Sequence, residues 1–408
     1  MLSPLYIDPG TGSALFSILI AGAATVYFLG RALIIKAKLF FSGGRAEAES
    51  GTTPCVVYCE DARYWNLFKP VLDEFEARSV PLLYLTSAQT DPVFSSNYSH
   101  IKAQYIGTGN KAFARLNLLR ANVVLMTTPG LDVYQLKRSK GVKHYSHILH
   151  ATSDATMYRL FGIDYFDSVL LTGAYQVEDI RELEKQRGLP AKDLVVVGCG
   201  YLDVTAQSIA KLKTEAERPF TVLVSPSWGA SGLLAKYGER LLNPLAETGW
   251  RIIVRPHPQS KKSEGALLDS LMARYSNSPN IIWDYEPDNT ASLSKSDIMI
   301  SDFSGIIYDY IFLFDKPVIY VNNQIDLRPY DADDLGEDAA EKLWQFKTLK
   351  KIGIELKEDM FCSIREIIKN AGDNEVMRNA RKQAKTEAWY YQGEAGKRVT
   401  DFLLEHSA

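Results

Sequence analysis

The sequence predicts an α/β protein with two doubly wound parallel-sheet domains that face a cleft, preceded by one N-terminal transmembrane helix. Three observations carry this prediction. Apolar strand-like runs alternate with helical patterns, a second series of such runs begins near residue 216, and residues 9–30 contain no charged side chain. Strands that helices cover on both faces are buried throughout, so they read as continuous apolar runs.

Composition narrows the class of protein. The chain has 408 residues, 46% of them hydrophobic, and a net charge of -3. These values exclude wholesale disorder, and the length suggests two or three domains. Because binding to a phosphate backbone needs a basic surface, we expect no nucleic acid partner. The cysteines are too scattered for a disulfide framework, and we expect them to be reduced and structural: Cys55, Cys59, Cys199 and Cys362.

The uncharged stretch at residues 9–30 is long enough to cross a bilayer as a helix, which takes about 20 residues. The only charged side chain before it is Asp8, and the stretch after it is basic, with Arg31, Lys36, Lys38 and Arg45. The positive-inside rule therefore predicts that the chain from about residue 31 onward lies in the cytoplasm. A buried hairpin or helix of a soluble protein is the alternative.

The soluble body is predicted to begin after a linker. We expect residues 1–41 to form the membrane anchor, and the small, polar residues 42–54 to form the linker. Residues 55–215 are predicted as a first α/β domain, on the acceptor side, with strands near 53–60, 80–86, 122–128, 146–150, 167–173 and 194–198.

A second α/β domain is predicted at 216–350. Its strands are expected near 220–226, 250–256, 280–283, 297–301 and 317–321. Residues 351–408 are predicted as helices that pack back on the body. Ligands of doubly wound sheets bind beyond the carboxyl ends of the strands, so the residues just after each strand are the candidates for chemistry.

One strand end, in the segment WRIIVRPHPQS, frames a histidine between two prolines. Pro256 and Pro258 restrict the backbone around His257, and Arg255 precedes them. A histidine held in this way can donate to a phosphate oxygen or stabilise a phosphate leaving group. The alternative is a turn in which the histidine caps a loop.

A second strand end, in the segment SDIMISDFSGIIYDYIF, reads as a strand, a small polar turn and a helix start. The turn contains Ser301, Asp302, Ser304 and Gly305. Free backbone N–H groups, the helix dipole and the two serine hydroxyls together favour an anion site. Either serine is equally compatible with a simple N-cap.

His150 ends an apolar run of the first domain. Facing a phosphate site in the second domain, it suits a general base that acts on an acceptor hydroxyl. His147 lies three residues earlier, but no third ligand at helical spacing completes a metal site. Ser227, in the segment VSPSWGASG, lines the donor pocket or belongs to an ordinary loop. The acidic run at 331–338 is expected to be a solvated loop.

These segments together resemble the CDP-glycerol glycerophosphotransferase family, whose members build poly(glycerol phosphate) of the teichoic-acid type. The family's R-x-H-P segment is matched by Arg255–Pro258, and its aspartate-aromatic-serine turn by Asp302–Ser304. Asp309 matches an aspartate of the following helix. A P-T-W segment is similar to Pro226-Ser227-Trp228, and the histidine of a W-H-G segment falls on His150. The resemblance spans about 150–321. Gly305 replaces the second serine of the turn.

The resemblance implies a GT-B-like architecture and a reaction that moves glycerol phosphate from CDP-glycerol to an acceptor hydroxyl, without a bound metal or other cofactor. It implies His150 as the base and a donor held mainly by the second domain, 216–350, with His257 and Arg255 holding the pyrophosphate. The phosphate site would consist of residues from the two strand ends of the second domain: Ser301, Asp302, Ser304, Gly305 and Ser227.

The anchor and the resemblance together predict an enzyme of the bacterial cytoplasmic membrane, with a CDP-activated polyol as donor and a lipid-linked or glycan acceptor. Two alternatives remain open. One is a UDP-sugar-dependent glycosyltransferase or epimerase of the same fold. The other is a non-catalytic, membrane-tethered binding module.

Overall fold

The computed structural model describes residues 52–211, 217–372 and 374–407, together with Gly22, Thr25–Tyr27 and Gly30, which are helical. The chain divides into two compact units, Met1–Gly51 and Thr52–Ala408. The predicted transmembrane stretch at 9–30 lies mostly outside the described residues, as does most of the predicted linker. Within the described residues, no helix combines the length and the apolar content that a membrane crossing requires.

The second unit begins with a sheet of seven parallel strands in the order β3-β2-β1-β4-β5-β6-β7. The central strands are apolar and buried on both faces, as helices on both sides require. The strands are β1 (Thr53–Cys59), β2 (Leu82–Thr86), β3 (Ile101–Tyr105), β4 (Arg120–Met126), β5 (Gly141–Ile148), β6 (Ser168–Leu171) and β7 (Asp193–Val196).

The helices that connect these strands place one apolar face on the sheet. They are α1 (Trp65–Ala77), α2 (Asn110–Leu116) and α3 (Gln176–Arg187), and α4 (Gly200–Ile209) follows the last strand. In α1 the buried residues recur at helical spacing, at Leu67, Phe68, Val71, Leu72 and Phe75. Gly188 ends α3 in the left-handed conformation with φ 61°, where a side chain would be strained.

A second sheet of six parallel strands has the order β10-β9-β8-β11-β12-β13. Its strands are β8 (Thr221–Val224), β9 (Arg251–Val254), β10 (Ile281–Trp283), β11 (Ile298–Ser301), β12 (Val318–Tyr320) and β13 (Gly353–Glu355). The connecting helices are α5 (Leu233–Ala246), α6 (Ser260–Ser263), α7 (Gly265–Arg274), α8 (Thr290–Lys295), α9 (Ile306–Phe314), α10 (Ala339–Lys342) and α11 (Trp344–Ile352). The chain then continues through α12 (Ile364–Asn370), α13 (Glu375–Ala388) and α14 (Ala395–Glu405).

Both sheets reverse their strand order at one point, and this point positions the candidate site. In the first sheet the reversal lies between β1 and β4, and in the second between β8 and β11. Crevices for ligands open beyond the carboxyl ends of the strands at such switch points. The residues after these four strands therefore lie where a doubly wound sheet binds its ligand.

The last helix returns to the first sheet. Gly396 at the start of α14 sits so close to α1 that a Cβ there would meet the carbonyl oxygen of Pro70 at 2.4 Å. Asp203 of α4 binds the turn that precedes α14. Its carboxylate accepts hydrogen bonds from the Trp389 indole and from the backbone N–H groups of Gly393 and Ala395. The C-terminal helices thus belong to the same packed body as both sheets.

Buried carboxylates connect the two sheets. Asp154, just after β5, accepts hydrogen bonds from the backbone N–H groups of Trp344 and Gln345 at the start of α11, at 3.0 and 2.8 Å. Burial raises the pKa of Asp154 to about 7, and the two N–H groups oppose that rise. Because α11 lies between β12 and β13 of the second sheet, this contact sets how the sheets approach each other.

The acidic residues of the run at 331–338 are exposed, as its composition predicted, with the exception of Asp331. Asp331 is fully buried and accepts hydrogen bonds from the backbone N–H groups of Phe161 and Gly162 in the first half of the chain. Arg187 of α3 forms ion pairs with both Asp331 and Asp164, at 2.8 and 2.7 Å. The run therefore ties the second sheet's loops to α3, an arrangement that depends on partners far away in the chain.

Candidate active site

His257 lies just beyond β9 and is partly exposed. A backbone N–H group two residues further along the chain fixes the tautomer of its ring. The backbone N–H of Gln259 donates to its Nδ1 at 3.1 Å, so the neutral ring carries its proton on Nε2. Burial lowers the pKa of His257, the carboxylate of Glu264 opposes that fall, and the positive charge of Arg63 adds to it. His257 is therefore a neutral ring near pH 7 with an N–H to offer.

His150 lies beyond β5, and its ring is held by side chains. Its Nδ1 is 3.0 Å from the Thr127 hydroxyl and 3.0 Å from the Tyr158 hydroxyl. Among the described residues, no hydrogen bond reaches its Nε2. Burial, and secondarily the positive charge of Arg63, lowers the pKa of His150 to about 4. The ring is thus neutral near pH 7, as a general base must be before it accepts a proton.

The turn after β11 opens on the N-terminus of α9. Gly305 occupies the N-cap position with helical backbone angles and no side-chain cap, and it is exposed. The N–H groups of Ile307 and Tyr308 bond to the carbonyls of Ser304 and Gly305 within the first turn. The earlier N–H groups of the helix and the Ser304 hydroxyl remain for an anion, which the helix dipole also favours.

Ser301 and Asp302 of the same turn bond to the protein itself. The Ser301 hydroxyl is fully buried and donates to the carbonyl of Ser225 at 2.6 Å. The buried Asp302 carboxylate accepts from the backbone N–H groups of Ser227, Leu233 and Ser304, at 2.9, 2.8 and 3.2 Å. Neither side chain has a donor left for phosphate, so both shape the loops around the site instead of contacting a ligand.

Arg255, which is predicted to hold the pyrophosphate, also bonds to the protein itself. Its side chain is 10% exposed, forms an ion pair with Asp284 at 2.5 Å and donates to the carbonyl of Glu286. Because a buried, paired guanidinium is costly to separate from its carboxylate, Arg255 anchors the loop after β10. Ser227 is half-buried beside the turn of Asp302, with its backbone N–H bonded there.

Sequence reasoning missed the side chains that surround His150. Thr127 follows β4 and Tyr158 lies in the loop after β5, and neither stands in a recognisable motif. Tyr64, in the short helix Ala62–Tyr64 after β1, places its ring 5.1 Å from the His150 ring. A signal was available, since Thr127 and Tyr64 both follow strands at the first switch point.

Metal chemistry has no built site in the part of the chain that the structure describes. Three or more histidine, cysteine, aspartate or glutamate side chains do not converge there. The cysteines are all free, and Cys55, Cys59 and Cys199 are buried. Burial raises the pKa of the Cys59 thiol to about 12, so it stays protonated as a small core residue.

Residues 221–403 match a known family, described as CDP-Glycerol:Poly(glycerophosphate) glycerophosphotransferase. The resemblance that the sequence predicts is therefore confirmed, and the matched segment runs from β8 into α14. The match covers somewhat less than half of the chain, and it supports a glycerophosphotransferase-like enzyme over the non-catalytic alternative. No curated protein matches the chain.

Solved structures share the two-sheet, GT-B-like fold. The wall teichoic acid polymerase TagF matches with a TM-score of 0.56 at 13% identity, over 94% of this chain and 96% of that one. UDP-GlcNAc 2-epimerase from Neisseria meningitidis, bound to UDP-GlcNAc, matches with a TM-score of 0.52 at 15% identity, over 86% and 100%. The epimerase from Methanocaldococcus jannaschii, in complex with UDP-GlcNAc and UDP, gives 0.55 at 12% identity, over 86% and 99%. At these identities the likeness concerns the fold alone.

Proposed function

We propose, starting from the membership of residues 221–403 in the CDP-glycerol:poly(glycerophosphate) glycerophosphotransferase family, that this protein transfers glycerol phosphate, or a related polyol phosphate, from CDP-glycerol to an acceptor hydroxyl. The observation that carries the proposal is the hydrogen bond from Gln259 N–H to His257 Nδ1. It leaves an Nε2–H at the carboxyl end of the second sheet, in the matched segment, where a nucleotide's phosphates would bind.

His150 would act as the general base on the acceptor hydroxyl. Its Nε2 would take the proton of the acceptor hydroxyl while that oxygen attacks the phosphorus. Thr127 and Tyr158 hold Nδ1, so the ring keeps one orientation during the transfer. The low pKa of free His150 would rise when the donor's negative charge enters the site, which brings the base closer to its working range.

His257 and the start of α9 would bind the phosphates of the donor. His257 Nε2–H would donate to the oxygen that leaves with CMP, while the Ser304 hydroxyl and the first N–H groups of α9 hold phosphate oxygens. Phosphoryl transfer depends mainly on positioning and on charge stabilisation, because the protein has little covalent chemistry to contribute. Two neutral histidines and a helix N-terminus meet that need.

We place the activity at the cytoplasmic face of a bacterial membrane, in the synthesis of a cell-envelope polymer of the teichoic-acid type. The support is the uncharged stretch at 9–30 followed by basic residues, which would hold the catalytic body beside a lipid-linked acceptor. Detergent dependence of extraction tests this part: release of the full-length protein by salt alone would contradict it.

A nucleotide-release assay tests the reaction. Detergent-solubilised full-length protein is offered CDP-glycerol, CDP-ribitol and UDP-GlcNAc, each with a membrane-lipid extract as acceptor. We expect CMP from a CDP-alcohol and no UDP. Loss of one preorganised hydrogen-bond donor costs roughly 10² to 10³ in rate. The rate of CMP release by His257→Ala is therefore expected to fall by that factor.

The matched control is His100→Ala. The His100 ring lies against Glu76 of α1, at 3.3 Å, and takes no part in the proposed reaction, so normal turnover is expected. UDP release from UDP-GlcNAc would instead favour the epimerase or glycosyltransferase alternative. Full CMP release by His257→Ala would contradict the assignment of this residue.

A further inference from the structure

The loop after β1 brings a cation to the switch point of the first sheet. Asp61 caps the short helix Ala62–Tyr64 by accepting from the backbone N–H of Arg63 at 3.0 Å. The Arg63 side chain is 69% exposed, and its Nη2 donates to Asp61 at 2.9 Å. Among the described residues, its Nε and Nη1 make no hydrogen bond. Arg63 therefore carries free N–H donors at the edge where a ligand is expected.

Arg63 is close to the first histidine. Its guanidinium carbon lies 5.9 Å from the centre of the Tyr64 ring, and that ring lies 5.1 Å from the ring of His150. The contact is compatible with a cation–π interaction at the limit of its range. The Tyr64 ring thus lies between Arg63 and the proposed base, His150.

Arg63 also acts on the second histidine. Its positive charge contributes to the lowered pKa of both His150 and His257, behind burial in each case. The neighbouring Asp61 in turn interacts with the positive charge of Lys262 in α6 of the second sheet. Since such interactions fade over about 10 Å, the loop after β1 faces the segment that carries His257.

We propose that Arg63 binds the nonbridging oxygens of the phosphoryl group in transit, from the opposite sheet to the one that holds the nucleotide. This inference rests on the proposed function. An in-line transfer places that group between the base at the acceptor and the donor at the leaving oxygen. Arg63 lies one ring, that of Tyr64, away from His150, and its charge acts on both histidines. A guanidinium fork fits such oxygens with paired hydrogen bonds.

The reaction balances without a proton from Arg63. The acceptor oxygen forms a bond to phosphorus, and the bond from phosphorus to the CMP oxygen breaks. The hydroxyl proton passes to His150. Arg63 stays protonated throughout, and its charge offsets the negative charge on the nonbridging oxygens.

Charge removal at Arg63 provides the test. Arg63→Gln in the full-length protein is compared with Arg328→Gln, a matched control in which an exposed arginine likewise pairs with the aspartate two residues before it, Asp326. We expect kcat with CDP-glycerol to fall roughly 10²-fold or more in Arg63→Gln. Arg63→Lys should recover part of that loss, and Arg328→Gln should match wild type. Turnover of Arg63→Gln within twofold of wild type would overturn the proposal.

Two binding measurements separate this inference from the proposed function. CMP lacks the transferred phosphoryl group, so by calorimetry its affinity should be the same in wild type and Arg63→Gln, while CDP-glycerol should bind the variant at least several-fold more weakly. Equal weakening of both ligands would overturn the role of Arg63. Failure of the proposed function would instead appear in the wild type, as no binding or turnover of CDP-glycerol.

The histidine titrations supply a readout that needs no substrate. In ligand-free protein, Arg63→Gln should raise the pKa of both His150 and His257, followed by NMR of the ring protons. The other groups that face them, Tyr158 and Glu264, are unchanged by the substitution. Unmoved titrations of both rings would place Arg63 outside the cleft and overturn the proposal.

Discussion

The two histidines of the candidate site are held in different ways. A backbone N–H two residues further along the chain bonds to His257 Nδ1, whereas two hydroxyls from separate loops, Thr127 and Tyr158, approach His150 Nδ1. A backbone N–H only donates, so His257 is restricted to one tautomer. Hydroxyls donate or accept, so His150 is free to take and release a proton at Nε2 while its ring stays in place. The contrast separates a fixed hydrogen-bond donor from a base.

The largest expected effect is on the base. His150→Ala should lower kcat by about 10² to 10⁴, the usual contribution of a positioned general base. The pH dependence sharpens the comparison: the loss should shrink at high pH, where the acceptor hydroxyl ionises more readily, whereas the loss in His257→Ala should not. Equal pH dependence of the two variants would remove the distinction between them.

The loops around His257 depend on a buried carboxylate. Asp302→Ala would leave three backbone N–H groups without their acceptor, at Ser227, Leu233 and Ser304, and should lower the free energy of unfolding by about 3 kcal/mol. The midpoint of urea unfolding measures this. Asp326→Ala is the control, since that exposed carboxylate bonds, among the described residues, only to Arg328. An equal loss there would refute the structural role of Asp302.

His147, beneath the His150 site, makes the first sheet sensitive to acid. The ring is fully buried, and neither of its nitrogens has a hydrogen-bond partner among the residues that the structure describes. Burial, with a smaller effect from His150, lowers its pKa to about 3. The unfolded state takes up a proton near pH 6.5 but the folded state does not, so stability is full above that pH and falls as the pH decreases toward 3.

His147→Leu should remove that dependence. At pH 5 the wild type is expected to lose about 2 kcal/mol relative to pH 7.5 through this residue, and the variant should not show this part of the loss. Urea unfolding at the two pH values measures the difference. Parallel losses in wild type and variant would show that another group is responsible.

The smallest effect concerns the two hydroxyls. Tyr158→Phe and Thr127→Val each leave the other hydroxyl on Nδ1, so each should lower kcat only a few-fold, about 1 kcal/mol. The double variant should lose more than the sum of the two, because nothing then orients the ring. Recovery by Thr127→Ser, but not by Thr127→Val, would identify the hydroxyl as the cause. Additive losses would contradict a shared role.

The central strands could be predicted from the sequence because they are buried on both faces. The two strands that prediction missed lie at sheet edges, where one side is less covered: β3, which reads IKAQY, and the three-residue β13. A strand with exposed positions has no continuous apolar run. The whole of β13 also lies past the predicted domain boundary at residue 350.

The candidate site was predictable only in part. His150, His257, Ser304 and Gly305 stand at strand ends that local pattern identifies, and the structure leaves polar groups of these residues available. For Ser301, Asp302 and Arg255 the pattern predicted ligand contacts, but each has a hydrogen-bond partner that lies 29 to 76 residues away in the chain. Local sequence does not reveal whether a distant residue forms a hydrogen bond with such a side chain.

By itself, the sequence determined the alternation of strands and helices, the two parallel sheets and the strand ends that carry the histidines, because these follow from local propensity and the burial of apolar runs. The tertiary structure alone decided which polar side chains remain available to a ligand and which form hydrogen bonds within the protein. It also brought the Tyr64 ring between Arg63 and His150, within reach of both. Hydrogen bonds and charges act through space, and the partners on which they depend come from strand ends that are distant along the chain.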